Sequence, residues 1–251
     1  MNRLGLAVAL LIGAGVGIVF ALYPQLDIAI SRPFFNEQYQ LFPVQYSLVA
    51  RNLRELFNYV VAALAAPAFV ALALKLVLPR RRMLIAARAA LFLIATIALA
   101  PGLMANVILK DHWGRPRPPE IVAFNGTQQF RAWWDPRGGC ARNCSFVAGE
   151  GAGGFWTLAP AALAPPAWRA IAYGAALLFG SAAGLLRLAG GAHFFTDVVF
   201  SGVFTFLIIW TVHGLIYRWR TRLTDAQVES AIERIAPGSL LQAPRNRQSK
   251  P

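Results

Sequence analysis

Six long apolar segments constrain the fold of this chain more than any other sequence feature. A helix needs about 20 apolar residues to cross a bilayer, and an unpaired strand edge is not tolerated within lipid. The sequence therefore predicts an all-α protein whose residues 1–222 form a bundle of six transmembrane helices. The predicted helices cover residues 4–23, 56–78, 83–109, 150–163, 167–188 and 193–217. The first segment lacks a convincing small-residue cleavage site, so we expect it to remain as a helix rather than to be removed as a signal peptide.

Composition also indicates a membrane protein. Only 14% of the residues are charged and the mean hydropathy is +0.50, whereas soluble domains carry about a quarter charged residues. The net charge of +13 comes largely from arginines in short loops and in the tail, a distribution that membrane topology explains better than nucleic-acid binding. We therefore expect no nucleic-acid partner, and we assign the remaining positive charge to an anionic substrate and to anionic lipid headgroups. The oligomeric state is left open.

The same arginines predict an orientation. Positively charged short loops stay in the cytoplasm, so both termini are expected to be cytoplasmic, in a bacterial inner membrane, with the alternate loops facing the periplasm. Residues 223–251 are expected to form a cytoplasmic tail, with a short helix from the capping-box pattern at Thr224 to about Ile235 and a disordered end. The arginines that set this orientation are Arg3, Arg80, Arg81, Arg82, Arg169, Arg218, Arg220 and Arg222.

Three polar segments lie at the periplasmic ends of the predicted helices, where positive charge is disfavoured. A charge set against apolar membrane sequence is costly and usually functional. Three cations, a histidine with a carboxylate near it, and a further acid together predict a phosphate site. The segments contain Lys110 and Arg117, the run Ser145–Glu150, and the set Arg187, His193 and Asp197.

The third segment supplies a candidate nucleophile. His193 and Asp197 are four residues apart, so they share one face if the sixth helix begins near Ala192. A carboxylate on one imidazole nitrogen would fix the tautomer and leave the other nitrogen free to attack phosphorus, giving a phosphohistidine that water later hydrolyses. The turn permitted by Gly190 would bring Arg187 towards the same point. The alternative is a structural hydrogen bond at a helix start.

The first segment supplies phosphate-binding cations. Arg117 can grip phosphate oxygens in a bidentate manner, and Lys110 acts as a mobile point charge. Arg115 and His112 lie in the same stretch and are candidate assisting residues. The alternative is an ordinary positive flank whose side chains reach the interface.

The second segment runs into the fourth helix through several glycines. The backbone N–H of Gly149 could approach a phosphate oxygen. Glu150 could pair with a site arginine or serve as an acid if burial raises its pKa. The alternative is a glycine-rich helix start with a glutamate that the helix dipole favours. Nearby, Cys140 and Cys144 are too few for a zinc site and predict either a disulfide in an oxidising compartment or two free thiols.

Taken together, these motifs resemble the type 2 phosphatidic acid phosphatase superfamily, whose pattern is K-x6-RP, then PSGH, then SR-x5-H-x3-D. Lys110, Arg117 and Pro118 match the first part, and Arg187, His193 and Asp197 match the third, with Leu186 in place of serine. The resemblance implies that His193 is the nucleophile, that Asp197 orients it, and that Lys110, Arg117 and Arg187 bind the phosphoryl group without a metal or other cofactor. In the middle part only Gly149 is kept. Ala148 and Glu150 replace the serine and the histidine, and that histidine normally protonates the leaving oxygen.

The resemblance therefore predicts an integral-membrane phosphatase acting on a lipid phosphomonoester or diphosphate. Glutamate at position 150 resembles a bacterial branch that includes lipid A phosphatases, so lipid A is the favoured substrate. Undecaprenyl diphosphate, phosphatidylglycerol phosphate and phosphatidic acid are the alternatives. Transfer of the phosphoryl group to another lipid is a variant, and a weakly catalytic member that binds phosphorylated lipid is the competing class of function.

Overall fold

The computed structural model describes residues 2–219 and 223–236, in which the regular elements are all helices, without strands. Within these ranges, two segments have wide π-type turns, Ala98–Leu109 and Gly214–Arg218. The helices in chain order are α1 Arg3–Leu22, α2 Gln25–Ser31, α3 Pro43–Tyr46, α4 Leu48–Val77, α5 Ala87–Ile97, α6 Lys110–His112, α7 Gly149–Trp156, α8 Leu158–Ala162, α9 Arg169–Ala189, α10 Phe195–His213 and α11 Asp225–Ile235.

Five helical segments of the described chain are long and apolar enough to cross a membrane. They are Arg3–Leu22, Leu48–Val77, Ala87–His112, Arg169–Ala189 and Phe195–Arg218. The prediction of an all-α membrane bundle is confirmed. The predicted fourth span consists of α7 and α8, which together are shorter than a bilayer crossing requires. Most residues of α7 are buried in the protein, so this element lies within the bundle rather than against lipid.

Glycine allows α7 to approach its neighbours closely. A Cβ atom at Gly154 would lie 2.9 Å from Cα of Gly180 in α9, so the two helices touch backbone to backbone. Trp156 at the end of α7 is fully buried in the largest apolar cluster, and its indole Nε1 donates to Thr96 Oγ1 at 3.0 Å. The core therefore centres on α7.

Two helix starts differ from the predicted ones, and both matter for the site. Helix α4 begins at Leu48 rather than at residue 56, because Ser47 caps it by accepting a hydrogen bond from the N–H of Ala50. Its first two turns are too polar for a hydropathy pattern to include them. Helix α10 begins at Phe195 rather than at residue 193.

The bundle has two distinct ends, which α4 connects. At the far end from the polar segments, the ammonium group of Lys75 in α4 donates to Glu229 and Glu233 of α11 and to the carbonyl of Arg81. The start of α1 is at this end too, since Trp210 Nε1 donates to the carbonyl of Asn2. The predicted tail helix thus packs as α11, whereas the predicted disordered end from residue 239 lies outside the described residues.

Candidate active site

His193 lies in the connection between α9 and α10, and it is almost completely buried. Its Nδ1 atom is 2.7 Å from the backbone carbonyl oxygen of Ser145. A carbonyl can only accept, so Nδ1 must carry the proton and donate it to Ser145. This tautomer leaves the lone pair of Nε2 available as a nucleophile.

The surroundings of His193 keep the imidazole neutral. Burial, and then the positive charges of Lys110, Arg117 and Arg187, hold the pKa of His193 well below its usual value. A charged imidazole would be costly in this environment because burial and neighbouring cations both oppose it. His193 is therefore a neutral imidazole at neutral pH, and its Nε2 atom carries no proton, as a nucleophile requires.

Asp197 supports His193 indirectly. The expected bond from the carboxylate to the imidazole is not made, since Asp197 Oδ2 is 3.9 Å from His193 Nδ1, beyond hydrogen-bond range. The carboxylate instead accepts from Ser145 Oγ and from the backbone N–H of Phe194 at 2.7 Å. Because Asp197 binds Phe194 N–H, it caps α10, and His193 falls just outside the helix. Asp197 thus holds Ser145, and Ser145 holds His193.

Arg115 lies behind Asp197 rather than beside the phosphate cations with which it was expected to assist. Its guanidinium is fully buried, donates to Asp197 Oδ1, and also donates to Asp27 Oδ2 at 2.7 Å. Asp27 in α2 further accepts from the N–H of Thr196 at 3.0 Å. We call His193, Ser145, Asp197 and Arg115 the nucleophile network. The roles of Asp27 and Ser145 had no signal in the sequence pattern.

The three predicted phosphate-binding cations surround this network. All three contribute to the electrostatic environment of His193. Arg117 is held by Asn143, whose backbone carbonyl accepts from Arg117 Nη2 at 2.8 Å and whose side-chain oxygen accepts from the same atom at 2.9 Å. Asn143 is enclosed by a disulfide between Cys140 and Cys144, so a small covalent ring positions Arg117.

Gly149 forms the first residue of α7 and is buried against Lys110. A Cβ atom at position 149 would lie 2.7 Å from Lys110 Nζ and 2.6 Å from Asn106 Oδ1. Real side chains do not approach so closely, so glycine is required for the lysine ammonium to occupy this place. His112 by contrast is exposed, with its Nδ1 atom 3.1 Å from the carbonyl of Val107 in its own helical segment.

Glu150 is paired with two arginines. Its Oε1 atom lies 2.7 Å from both Nε and Nη2 of Arg54, and its Oε2 atom lies 3.5 Å from Nε of Arg187. We call these three residues the Glu150 cluster. Arg54 was missed because it precedes the apolar run of the second predicted helix, although an arginine beside a membrane segment was itself a signal.

A cleft of about 300 Å³ opens beside these groups. Its walls come from α3, α4, the turn after Arg117, and the end of α9. Four arginines reach it. Gly191 in its lining has a φ of +68° and packs against Phe42, whose ring would lie 2.4 Å from a Cβ atom at this position. The arginines are Arg51, Arg54, Arg117 and Arg187. The cleft is thus shaped and charged for an anion.

Comparison with known proteins agrees with this arrangement. The chain is 34% identical over 220 residues to a lipid A 4'-phosphatase of Francisella tularensis subsp. novicida (strain U112), covering 87% of this chain and 98% of that protein. It is 36% identical over 106 residues to a lipid A 4'-phosphatase of Rhizobium leguminosarum, covering 42% of this chain and 46% of that protein. A lipid A 4'-phosphatase of Rhizobium etli is 35% identical over 105 residues, which is 42% of this chain and 41% of that protein.

No solved structure matches the chain. The family model described as the PAP2 superfamily matches residues 86–224, which include every motif residue of the cleft and of the nucleophile network. The resemblance found in the sequence is confirmed: the chain belongs to the PAP2 superfamily and is a membrane lipid phosphatase.

Proposed function

We propose that this phosphatase hydrolyses a phosphate monoester of lipid A through a phosphohistidine on His193. The observation that carries the proposal is the tautomer of His193, which presents an unprotonated Nε2 atom beside three cations. The substrate follows from the lipid A 4'-phosphatase of Francisella, which aligns along almost its whole length. The chemistry needs no metal ion, because the cations themselves neutralise the phosphoryl oxygens.

The first step forms a bond from Nε2 of His193 to phosphorus while the ester bond from phosphorus to the sugar oxygen breaks. Lys110, Arg117 and Arg187 hold the phosphoryl oxygens and stabilise the charge that develops on them. The proton stays on Nδ1, which donates it in a hydrogen bond to the carbonyl of Ser145 and so keeps the ring in one orientation. The lipid then leaves as an alcohol, once its oxygen has taken up a proton.

We assign proton transfer to Glu150, which stands where the family has its leaving-group acid. When phosphate draws Arg187 away, the Glu150 carboxylate takes the proton of the phosphate monoanion and passes it to the leaving oxygen. The resulting carboxylate then takes a proton from the water that attacks phosphorus, and the bond from nitrogen to phosphorus breaks. Glu150 passes this proton to the phosphate, inorganic phosphate leaves, and both His193 and Glu150 return to their starting forms.

The decisive experiment measures phosphate release by the purified protein in detergent. The substrates are lipid A, undecaprenyl diphosphate, phosphatidylglycerol phosphate and phosphatidic acid, and His193→Ala is measured in parallel. We expect selective release from lipid A, unchanged by a chelator, and a loss of at least about a thousandfold in kcat for His193→Ala. Turnover in His193→Ala would reject the nucleophile. Equal rates on all four lipids would reject the substrate.

A direct test of the covalent step uses substrate with a radioactive phosphate. Rapid quenching in alkali should trap label on the wild-type protein, since phosphohistidine survives alkali, and none on His193→Gln. If no label is found on the wild-type protein at times shorter than one turnover, direct attack by water would be favoured instead.

We further propose that the cleft faces the periplasm from the inner membrane and that both termini are cytoplasmic. Two features support this orientation: the arginines of the loop at 80–82 lie at the opposite end of the bundle, and a disulfide at the cleft end suits an oxidising compartment. Cysteines introduced singly at Arg142 and Arg81 test it, in a Cys140→Ser/Cys144→Ser background. A membrane-impermeant maleimide should label only the first in intact spheroplasts.

A further inference from the structure

The cleft contains a cation that the phosphatase reaction does not use. Arg51 lies one turn before Arg54 on α4, so both side chains leave the same face of the helix. Both line the cleft together with Arg117 and Arg187. Neither Arg51 nor Arg54 belongs to the family motif, and the early start of α4 is what brings them here.

Arg51 and Arg54 differ in their partners. Arg54 is neutralised by the salt bridge to Glu150. The side chain of Arg51 has no hydrogen bond or ion pair with any residue in the described ranges 2–219 and 223–236. An exposed arginine at a membrane surface is ordinary, but an unpaired arginine on the wall of a cleft already lined by three others raises the local repulsion between like charges.

The charges in and below the cleft exceed what one phosphate group can neutralise. The three charges of Lys110, Arg117 and Arg187 already exceed that of a phosphate monoester, which is at most −2. Glu150 offsets Arg54. Arg51 is therefore left as a surplus charge, and Gln45 beside it offers an amide donor to the same space.

We propose that Arg51, with Gln45 beside it, forms a second anion-binding subsite that receives another anionic group of the same lipid headgroup. This inference rests on the proposed function, because it assumes that the phosphate to be hydrolysed occupies the three motif cations. A cleft of about 300 Å³ is at the lower end of the size of ligand pockets, so it suits part of a headgroup rather than an acyl chain. The subsite selects headgroups with two anionic groups over those with one.

The test compares two substrates in neutral detergent micelles. One is lipid A with a phosphate on both glucosamines, and the other is the same lipid with only the phosphate that is hydrolysed. Arg51→Gln should raise KM for the first substrate about tenfold with kcat retained, because a charge-assisted hydrogen bond to bound substrate is lost. The change on the second substrate should stay within about twofold, and Arg51→Lys should recover part of the affinity.

The matched control is Arg80→Gln, which removes the same charge from an exposed side chain at the opposite end of the bundle and should leave both substrates unaffected. An equal loss on both substrates, or no loss on the substrate with two phosphates, would overturn the subsite. A loss for Arg51→Gln that appears only after anionic phospholipid is added to the micelles would also overturn it, because the ligand would then be a neighbouring lipid. Failure of the proposed function would be seen separately, because the wild-type protein would then release no phosphate in a reaction that depends on His193.

Discussion

The two halves of the site are built in opposite ways. In the nucleophile network, the side chains of Arg115 and Asp197 are 0% exposed and bound by several partners each. In the Glu150 cluster, the side chains of Arg54 and Glu150 are 47% and 24% exposed and bound mainly to each other. Buried pairs are costly to break, whereas exposed pairs contribute about 0–1 kcal/mol. The protein thus fixes the proposed nucleophile and leaves the proposed proton carrier adjustable.

This difference follows from what each half must do. A nucleophile that is misplaced by about 1 Å loses about a hundredfold in rate, so a rigid support is worth its desolvation cost. The proton carrier must release Arg187 when phosphate arrives and recover it afterwards. The contrast predicts that changes in the nucleophile network alter stability and kcat, whereas a change at Glu150 lowers kcat and KM together.

The largest effect is expected for Arg115→Met. The change leaves Asp27 and Asp197 buried without their shared cation, which should lower the free energy of unfolding by about 3–5 kcal/mol and remove activity. Thermal unfolding in detergent and phosphate release would measure both. Arg142→Met, an exposed arginine on the same side, should stay within about 0.5 kcal/mol of the wild-type protein. Wild-type stability in Arg115→Met would contradict the role of the network.

A smaller effect is expected for Ser145→Ala. This change removes the hydroxyl that links Ser145 to Asp197 but keeps the carbonyl that binds His193. We expect kcat to fall about tenfold to a hundredfold with little change in KM, because the imidazole is less well fixed. Ser201→Ala is a matched control, since its buried hydroxyl donates only within α10. If Ser145→Ala changed KM alone, Ser145 would belong to substrate binding instead.

Glu150→Gln tests the Glu150 cluster. Loss of the proton carrier should lower kcat by about tenfold to a hundredfold, most on substrates with a poor leaving group. KM should fall at the same time, because no carboxylate competes with phosphate for Arg187. Glu55→Gln, an exposed neighbour of Arg54, serves as the control. Unchanged kcat on a poor leaving group would reject Glu150 as the acid.

The smallest effect concerns the titration of His193. Its folded-state pKa lies below the unfolded value of about 6.5, so the imidazole should stay neutral as the pH falls through 6.5 and become protonated only at lower pH. The contribution of His193 to stability is therefore complete above pH 6.5 and is lost as the pH falls towards the folded pKa.

NMR of isotope-labelled histidine can follow this titration, because the chain has only three histidines and His193→Gln assigns the signal. Lys110→Gln should move the midpoint upward, since one repelling charge is removed. A midpoint at or above 6.5 in the wild-type protein would contradict the neutral nucleophile.

Local patterns in the sequence were enough to predict the membrane bundle and the meeting of Lys110, Arg117, Arg187 and His193, because motif spacing and helix ends are local properties. They were not enough to predict what holds these residues. Asp27 is 88 residues from Arg115, and nothing near either residue signals the pair. Arg51 and Arg54 were not predicted as site residues for another reason, because a hydropathy pattern averages out polar turns at the start of a long helix.

The direct contact predicted between His193 and Asp197 failed for a third reason. Spacing of four residues predicts a shared face only inside a helix, and α10 begins after His193. The carboxylate of Asp197 caps the N-terminal end of α10 at Phe194 and so leaves His193 outside the helix. The residue whose spacing suggested the contact is therefore the one that prevents it.

The pairing of Lys75 with α11 has a consequence for biosynthesis. Lys75 is inside the second membrane helix, yet its partner Glu229 is 154 residues further along the chain. At about 5–20 residues per second, translation reaches that partner roughly 8–30 s after Lys75 is made. Until then the lysine is held without its carboxylates at the membrane boundary. The charge of Lys75 is therefore compensated only after α11 has been made, and a nascent chain that stops after α10 would leave Lys75 without its carboxylates.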